Sequence, residues 1–301
     1  MCIRDRRKTE LLIIGGGAAG MAAALAAVQT GQTVLLVERD SRLGGVLPQC
    51  LHHGFGLSYF HQDLTGAEYG RRFVEQINNS PVQVLLQTTA LLVNQERTAL
   101  LSNSQGLIEV AFQRLILATG CREIPLGALP IAGTRPAGIF TAGQAQQMIN
   151  LYGYDIGDDI IILGSGDIGM IMAQQLSQMG KMVLAIIEQQ PQFTALPEHQ
   201  YQCREVYHIP SITSATISEI HGRRRIEGVT IRHLDTLAEE FLACSTLLAA
   251  VGLRPERELI EPLQQNGDYP HWLTLAGNCE HVHKIVDTVS LQGERAAISM
   301  L

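Results

Sequence analysis

One pattern occurs twice in this chain of 301 residues, and that duplication limits its fold more than any other feature. Each copy runs as an apolar strand, a glycine-rich turn, a helix, a second apolar strand and an acidic residue. The copies span 11–38 and 160–188, and each later closes on an apolar strand ending in glycine, at 114–120 and 247–252. The duplication predicts two α/β domains of common ancestry.

The two turns carry glycines in the spacing G-x-G-x-x-G. They are Gly15, Gly17 and Gly20 in the first copy, and Gly164, Gly166 and Gly169 in the second. The first glycine allows a tight turn, the second lets a pyrophosphate approach the backbone, and the third lets the helix lie against the strand. The helix then directs its N-terminal N–H groups at the phosphates. An ordinary βαβ turn is the alternative, but strand, helix and acid in register favour a dinucleotide site.

An acidic residue ends the second strand of each copy. Glu38 follows Gly20 by 18 residues and Glu188 follows Gly169 by 19, close to the ~20 of a dinucleotide fingerprint. A carboxylate here accepts hydrogen bonds from a ribose diol and repels a 2′-phosphate. No arginine follows Glu188 through Gln202. The second copy therefore favours NADH over NADPH, with a vestigial domain that binds nothing, or only an adenine nucleotide, as the alternative.

Composition and charge exclude several classes of protein. The net charge of −7 leaves no basic surface for nucleic acid or anionic lipid. Six scattered cysteines, without C-x-x-C or metal-ligand spacing, indicate reduced thiols in a cytoplasmic protein and no metal site. The basic segment 1–8 and the uncharged run 11–28 superficially resemble a signal peptide or membrane span. The glycine spacing favours a domain without a membrane segment, and we expect 1–8 to be a disordered tail.

The expected domain limits follow from the segments around the two copies. Short β segments across 82–120 predict a small antiparallel meander, and the proline-containing stretch 121–138 has the composition of a linker. The chain ends with a strand at 272–278 and a helical pattern at 283–299. We expect a discontinuous first domain of 9–138 and 254–301, with a second domain of 139–253 inserted in it.

Further glycines complete a layout that resembles the pyridine-nucleotide-dependent FAD oxidoreductases, from residue 10 to 301. The added motifs are Gly44–Gly45, Ala118-Thr119-Gly120 and Gly277-Asn278. The resemblance implies two Rossmann-like FAD/NAD(P)-binding domains, each a three-layer parallel sheet with an antiparallel β-meander. It also implies that the first domain binds FAD, the second binds NAD(H), and the C-terminal segment completes the first.

The same resemblance assigns cofactor contacts by position. For FAD they are Gly15, Gly17, Ala18, Ala19, Gly20, Glu38, Arg39, Gly44, Gly45, Thr119, Gly120, Gly277 and Asn278. For NAD(H) they are Gly164, Gly166, Asp167, Ile168, Gly169, Glu188 and Gly252. The family usually has Asp after the late glycine. Asn278 keeps a hydrogen-bonding side chain there but lacks the charge.

Three stretches, 44–57, 64–69 and 277–287, resemble one subgroup more closely. Its members are encoded beside glycerol-3-phosphate dehydrogenases and are related to FAD subunits of hydrogen cyanide synthase, opine oxidase and dye-linked L-proline dehydrogenase. The subgroup implies two alternatives. The chain passes two electrons between NADH and a small-molecule substrate not identified by sequence, or it carries flavin for a partner dehydrogenase subunit. An oligomer is compatible with both.

Three residues are candidates for chemistry at the flavin. Cys50 has no second cysteine nearby, which argues against a redox dithiol. Cys50 and His52 could form a thiol–imidazole pair, although a packed cysteine beside solvent-facing histidines is the alternative that we favour. His283 could hydrogen-bond the flavin edge. Backbone amides around 282–283, at the start of the late helix, could stabilise the negative charge of reduced flavin.

Overall fold

The computed structural model describes residues 3–299, and the chain divides into two compact units. The first unit consists of Met1–Arg122 and Arg254–Leu301, and the second of Glu123–Leu253. The second unit is therefore inserted in the first. Each unit has its own sheet with apolar clusters on both faces, so the predicted fold class is confirmed.

The first unit is built on a seven-stranded sheet of order β3-β2-β1-β6-β5-β4, with β18 also beside β6. The strands are β1 (Ile3–Ile14), β2 (Val34–Val37), β3 (Gln83–Leu85), β4 (Thr89–Val93), β5 (Thr98–Asn103), β6 (Gly106–Leu117) and β18 (Leu273–Leu275). Strands β3, β2, β1, β6 and β18 run parallel to one another. Only β4, β5 and β6 form the antiparallel meander. The expectation that 82–85 belongs to the meander was wrong, because β3 extends the parallel sheet beside β2.

Strand β1 shows why this sheet has a layer on each face. Leu11 and Ile13 point into one apolar cluster, whereas Leu12 and Ile14 point into another. All four side chains are buried. A continuous apolar run of this kind is typical of a parallel strand covered on both sides.

Three helices belong to the first unit: α1 (Ala18–Gln29), α2 (Gly66–Asn78) and α6 (Val286–Ser299). Helix α2 begins with a capping box, in which the Thr65 hydroxyl accepts the Glu68 N–H and the Glu68 carboxylate accepts the Thr65 N–H. Helix α6 packs closely on α1. A Cβ atom added at Gly293 would lie 2.2 Å from the carbonyl oxygen of Ala19, so only glycine permits this approach.

The N-terminal segment differs from expectation. Residues Ile3–Lys8 belong to β1 and pair in parallel with β6, from Ile3 opposite Leu107 to Lys8 opposite Ala111. The predicted disordered tail was therefore wrong over these residues, while Met1 and Cys2 lie outside the described part. The physical reason is the length of β6, whose N-terminal half offers backbone groups that the tail satisfies.

The second unit contains two sheets. A five-stranded parallel sheet has the order β12-β11-β10-β16-β9, and a four-stranded sheet has the order β15-β14-β13-β8. The strands are β8 (Ala132–Gly133), β9 (Ile139–Thr141), β10 (Asp159–Leu163), β11 (Met182–Ile187), β12 (Ser211–Ile212), β13 (Ala215–Gly222), β14 (Ile226–His233), β15 (Glu239–Ala243) and β16 (Thr246–Ala249). Strands β13, β14 and β15 are antiparallel and form the second meander.

The helices of the second unit are α3 (Ala142–Tyr152), α4 (Asp167–Gln178) and the short α5 (Pro197–Tyr201), which continues as a π-helix at Gln202–Val206. Short 3₁₀ turns lie at Leu47–Gln49, Leu126–Ala128, Glu261–Leu263 and Gly277–Cys279, and β7 (Cys121–Glu123) pairs with β17 (Leu253–Pro255).

Within residues 3–299, no helix combines the length and apolar character needed to cross a membrane.

The second unit begins earlier than expected. It starts at Glu123 rather than at 139, so most of the predicted linker 121–138 belongs to it. Strand β8 pairs with β13, and the side chains of Leu126 and Ile131 are buried in the core of this unit. The prolines of this stretch shape an irregular but packed segment rather than a flexible connection.

Candidate functional site

The first glycine turn has the geometry that its spacing predicts. Gly15 has a φ of +110°, and a Cβ added there would lie 2.3 Å from the carbonyl oxygen of Ala118. A Cβ added at Gly20 would lie 1.8 Å from the carbonyl oxygen of Gly15, so the helix can approach the strand only without a side chain. Gly17, the N-cap of α1, has nothing within 4 Å of such a Cβ. The turn is therefore closed at its first and third glycines and open at its second, where a pyrophosphate would approach.

Glu38 lies beside this open turn with its carboxylate held by backbone donors. One carboxylate oxygen accepts the N–H of Gly16 at 2.7 Å, and the other accepts the N–H of Asp40 at 2.9 Å. The side chain is only 6% exposed. Each oxygen keeps a further acceptor site, which suits hydrogen bonds from a ribose diol.

The other FAD contacts predicted in the N-terminal half surround the same turn. The Gly44 N–H donates to the carbonyl oxygen of Gly16, and a Cβ added at Gly45 would lie 3.3 Å from Gly17 Cα. Arg39 forms an ion pair with Glu256 at 3.1 Å, and the Glu256 N–H donates to the carbonyl oxygen of Gly120. Thr119 also donates from its hydroxyl to the Glu256 carbonyl oxygen. Three of these contacts involve Glu256, a residue that the sequence patterns did not indicate.

The late segment, residues 277–283, contacts the first turn through Gly277. A Cβ added at Gly277 would lie 2.8 Å from Ala19 Cβ, which places this segment against the start of α1. The Asn278 side-chain oxygen accepts the His283 N–H at 2.9 Å, and His283 Nε2 lies 2.8 Å from Gln292 Oε1. Gln292 Oε1 also accepts the Gly277 N–H. These hydrogen bonds join residues 277–283 to one another and to Gln292 of α6.

One expectation about this segment was wrong. Helix α6 begins at Val286, not near 282–283, and the His283 N–H is already donated to Asn278. The amides at 282–283 therefore do not form a helix N-terminus. Helix α6 itself packs on α1.

The second turn repeats the first. Gly164 has a φ of +103°, and a Cβ added there would lie 2.2 Å from the carbonyl oxygen of Ala250. A Cβ added at Gly169 would lie 2.6 Å from the carbonyl oxygen of Gly164. Glu188, 7% exposed, accepts the N–H of Ser165 at 2.9 Å and that of Gln190 at 2.8 Å. The two copies thus agree in backbone, in close contacts and in the bonding of the acid.

The second turn carries polar side chains that the first lacks. The Ser165 hydroxyl donates to Glu188 and accepts the Thr194 N–H at 3.1 Å. Asp167, in the first turn of α4, accepts the Leu196 N–H at 2.7 Å. Thr194 also lies over the turn, since its hydroxyl would be 4.0 Å from a Cβ added at Gly166. The remaining predicted contacts are Ile168, half-buried in α4, and Gly252, which has a φ of +121°.

The two other catalytic candidates lie in the loop that follows Gly45. The Cys50 thiol donates to the carbonyl oxygen of Val46 at 3.4 Å, and burial raises the pKa of Cys50 to about 12. A thiol with this pKa is neutral at physiological pH, which favours the packed-cysteine alternative. The His52 ring packs on Phe55 at 5.0 Å, and its Nδ1 lies 3.1 Å from the His53 carbonyl oxygen.

Several residues of this region could not be found by pattern. Ser165 occupies the variable position of its glycine turn. Gln292 and Asp287 lie in α6, where Gln292 bonds the segment just before the helix and Asp287 bonds Gly56, 231 residues away. The only sequence signal for Asp287 is an acid in the first turn of a helix, which is common on surfaces. Within residues 3–299 no group of three or more His, Cys, Asp and Glu side chains is placed to hold a metal ion.

The residues of the first turn fit FAD. The open face at Gly17 has room for a pyrophosphate, the N–H groups of α1 point to it, and Glu38 is placed for the ribose. The second turn fits a nicotinamide dinucleotide by the same argument, with Glu188 as the ribose acceptor. In both turns the fit depends on the first glycine, Gly15 or Gly164. Any other residue there would bring its Cβ atom into a clash with a backbone carbonyl oxygen.

Comparison with known proteins agrees with this geometry. The family model of pyridine nucleotide-disulphide oxidoreductases matches residues 9–271. The chain is 27% identical to sarcosine oxidase subunit alpha of Rhizobium meliloti over 87% of this chain and 26% of that protein. It is 30% identical to hydrogen cyanide synthase subunit HcnB of Pseudomonas aeruginosa over 59% of this chain and 38% of that protein. The chain thus spans only about a quarter to two fifths of these relatives.

A solved structure shows the same fold over the full length. Thioredoxin reductase of T. acidophilum superposes with a TM-score of 0.80, at 19% identity, over 98% of both chains. At that identity the likeness concerns the fold alone. The match to HcnB confirms the predicted relation to hydrogen cyanide synthase subunits, and the family match confirms FAD and NAD(P)H as the cofactors. The chain belongs to the pyridine nucleotide-disulphide oxidoreductase family.

Proposed function

We propose that the chain passes two electrons between NADH and a small-molecule substrate through FAD, without a redox dithiol. The first unit would hold FAD, and the second would hold NADH. The observation that carries this proposal is the pair of glycine turns with the same backbone, each with a buried carboxylate at the end of its second strand.

The first unit supports FAD binding with residues from three segments. Gly15, Gly17 and Gly20 shape the turn, Glu38 would orient the adenosine ribose, and Gly277–Asn278 brings the late segment to the same turn. When bound, FAD supplies a two-electron acceptor that takes a hydride at N5. The protein's contribution is to bind and orient, because the thiol that is a candidate for chemistry at the flavin, Cys50, has a pKa raised to about 12.

The second unit supports NADH rather than NADPH. Glu188 is held in place by backbone donors on both carboxylate oxygens, so it cannot swing away from a 2′-phosphate without breaking those bonds. The residues after it, Gln189 and Gln190, are neutral. A 2′-phosphate would meet a buried negative charge with no cation next to it in sequence.

Anaerobic titration of the purified holoprotein tests the proposal. NADH is expected to bleach the visible absorbance of the flavin with two electrons per FAD. With NADPH, the same bleaching should require a nucleotide concentration at least about tenfold higher. A charge repulsion of about 1.4 kcal/mol is enough to weaken binding by that factor. Faster bleaching by NADPH would contradict the assignment of Glu188, and no bleaching by either nucleotide would contradict the proposal.

A second candidate is a flavin-carrying subunit that receives its electrons from a partner chain. It is favoured by the names of the relatives, which are subunits of sarcosine oxidase and hydrogen cyanide synthase. Such a subunit should hold FAD and stay oxidised in the presence of NADH. Titration with glycerol 3-phosphate, with and without a candidate partner dehydrogenase, separates it from the first proposal.

A further inference from the structure

A buried carboxylate in the first turn of α6 binds a loop from the N-terminal half of the chain. Asp287 is 3% exposed. Its Oδ1 accepts the N–H of Gly56 at 2.9 Å, and its Oδ2 accepts the N–H groups of Ser58 at 2.6 Å and Tyr59 at 3.1 Å. These three donors replace the water that a carboxylate loses on burial, and hydrogen bonds to a charged acceptor are strong.

The loop that Asp287 holds is a closed unit, which we name the 55–64 loop. Phe55 and Leu64 exchange both backbone hydrogen bonds at its ends. The Phe60 N–H donates to the carbonyl oxygen of Gly56 inside it, and the Tyr59 and Phe60 rings pack on Tyr69 and Phe73 of α2. A loop with this internal bonding moves as one piece, so the position of its Gly56–Tyr59 turn sets the position of the segment before it.

Further contacts hold the same face of α6 to this region. Asp287, Ser290 and Glu294 recur at helical spacing, and the two later residues bond the hydroxyls of Tyr69 and Tyr59. The neighbouring face, which includes Gly293, lies against α1. Of these contacts, only that of Asp287 reaches the loop backbone, and Asp287 is also the residue nearest in sequence to the late segment 277–283.

We propose that Asp287 is a positioning residue of the FAD site. It fixes the 55–64 loop to α6 and thereby sets the spacing of two segments, 44–54 and 277–283, which begin with the predicted FAD contacts Gly44–Gly45 and Gly277–Asn278. The inference rests on the proposed binding of FAD by the first unit. It assigns to Asp287 no contact with the cofactor itself.

The test compares Asp287→Asn with Ser290→Ala as the matched control. Asparagine keeps the size of the side chain but turns one acceptor into a donor that faces backbone N–H groups. Ser290→Ala removes a buried hydrogen bond of the same helix face without touching the 55–64 loop. Titration of apoprotein with FAD is expected to give a dissociation constant about tenfold higher for Asp287→Asn and within about twofold of wild type for Ser290→Ala.

A second readout separates positioning from general stability. The visible circular dichroism of bound flavin should change in Asp287→Asn and stay unchanged in Ser290→Ala, even if both variants melt at lower temperature. If Asp287→Asn melts earlier yet binds FAD with wild-type affinity and an unchanged spectrum, the residue is only structural and the inference is overturned. Failure of wild-type apoprotein to bind FAD would instead contradict the proposed function.

Hydrogen exchange of the wild-type protein keeps the test open if Asp287→Asn does not fold. Addition of FAD to apoprotein should raise protection in 44–54, in the 55–64 loop and in 277–287 together, because Asp287 couples them. Protection of 44–54 and 277–283 with no change in the 55–64 loop would overturn the inference.

Discussion

The two glycine turns of this chain have nearly the same backbone but different side chains. The first is bare: Gly16 fills its variable position, and the Cβ face of Gly17 is empty. The second has Ser165 in the variable position, Asp167 at the start of its helix and Thr194 lying over it. From this difference we infer that the shared backbone serves phosphate binding in both copies, and we propose that the added polar groups adapt the second copy to a different dinucleotide.

The first glycine of each turn should give the largest effect. Gly15→Ala and Gly164→Ala each force an alanine into a φ above +100° and place a Cβ within 2.3 Å of a backbone oxygen. We expect each to destabilise its own unit by roughly 3 kcal/mol or more. FAD content of the purified protein should fall with Gly15→Ala alone, and NADH binding with Gly164→Ala alone.

Gly127→Ala is the control for this pair, since an added Cβ there meets nothing within 4 Å. Thermal unfolding should be unchanged within about 0.5 kcal/mol, as for most surface substitutions. If Gly164→Ala loses FAD as completely as Gly15→Ala does, the assignment of a different dinucleotide to each turn is wrong.

The acids that end the second strands should give the next largest effect. Glu38→Gln and Glu188→Gln each turn one carboxylate oxygen into a donor that faces a backbone N–H. Hydrogen bonds to charged groups contribute about 1.5–3 kcal/mol, so we expect FAD to bind about 10–100-fold more weakly to Glu38→Gln. Glu188→Gln should weaken the binding of NADH and reduce the difference in affinity between NADH and NADPH, as measured by titration with each nucleotide. A larger difference in affinity would contradict the role of Glu188.

These parts of the site could be predicted from sequence because they are local. The turn, the helix start and the acid follow one another in sequence in each copy, and the third glycine is required by its contact with the first glycine of the same turn. Contacts between distant segments could not be predicted. Asp287 and Gly56 are 231 residues apart, and the tail 3–8 pairs with a strand about 100 residues away. Neither the sequence around Asp287 nor that of the basic tail indicates such a partner. The partner becomes known only when the fold brings the distant segment alongside.

Ser165→Ala should have a smaller effect that sharpens the contrast between the turns. The substitution removes the hydroxyl that bonds Glu188 and accepts the Thr194 N–H. We expect the second unit to lose about 1–2 kcal/mol of stability and NADH affinity to fall, with FAD binding unchanged. Ser177→Ala in α4 is the control, because its hydroxyl bonds only the Ala173 carbonyl oxygen of the same helix. Equal losses in both variants would mean that Ser165 serves only the stability of its unit.

Cys50 should give the smallest effect, although it is the residue that suggests chemistry most directly. Burial raises the pKa of its thiol to about 12, so the thiol stays protonated below that pH and gains nucleophilic thiolate only as pH approaches it. The rate of alkylation of Cys50 in the native protein, followed by peptide mass spectrometry, should therefore rise about tenfold for each pH unit across the neutral and mildly alkaline range. Cys50→Ser should leave the flavin spectrum and its rate of reduction by NADH unchanged. Fast alkylation that reaches a plateau near neutral pH, together with slower reduction in Cys50→Ser, would restore the thiol–imidazole pair with His52 as the working hypothesis.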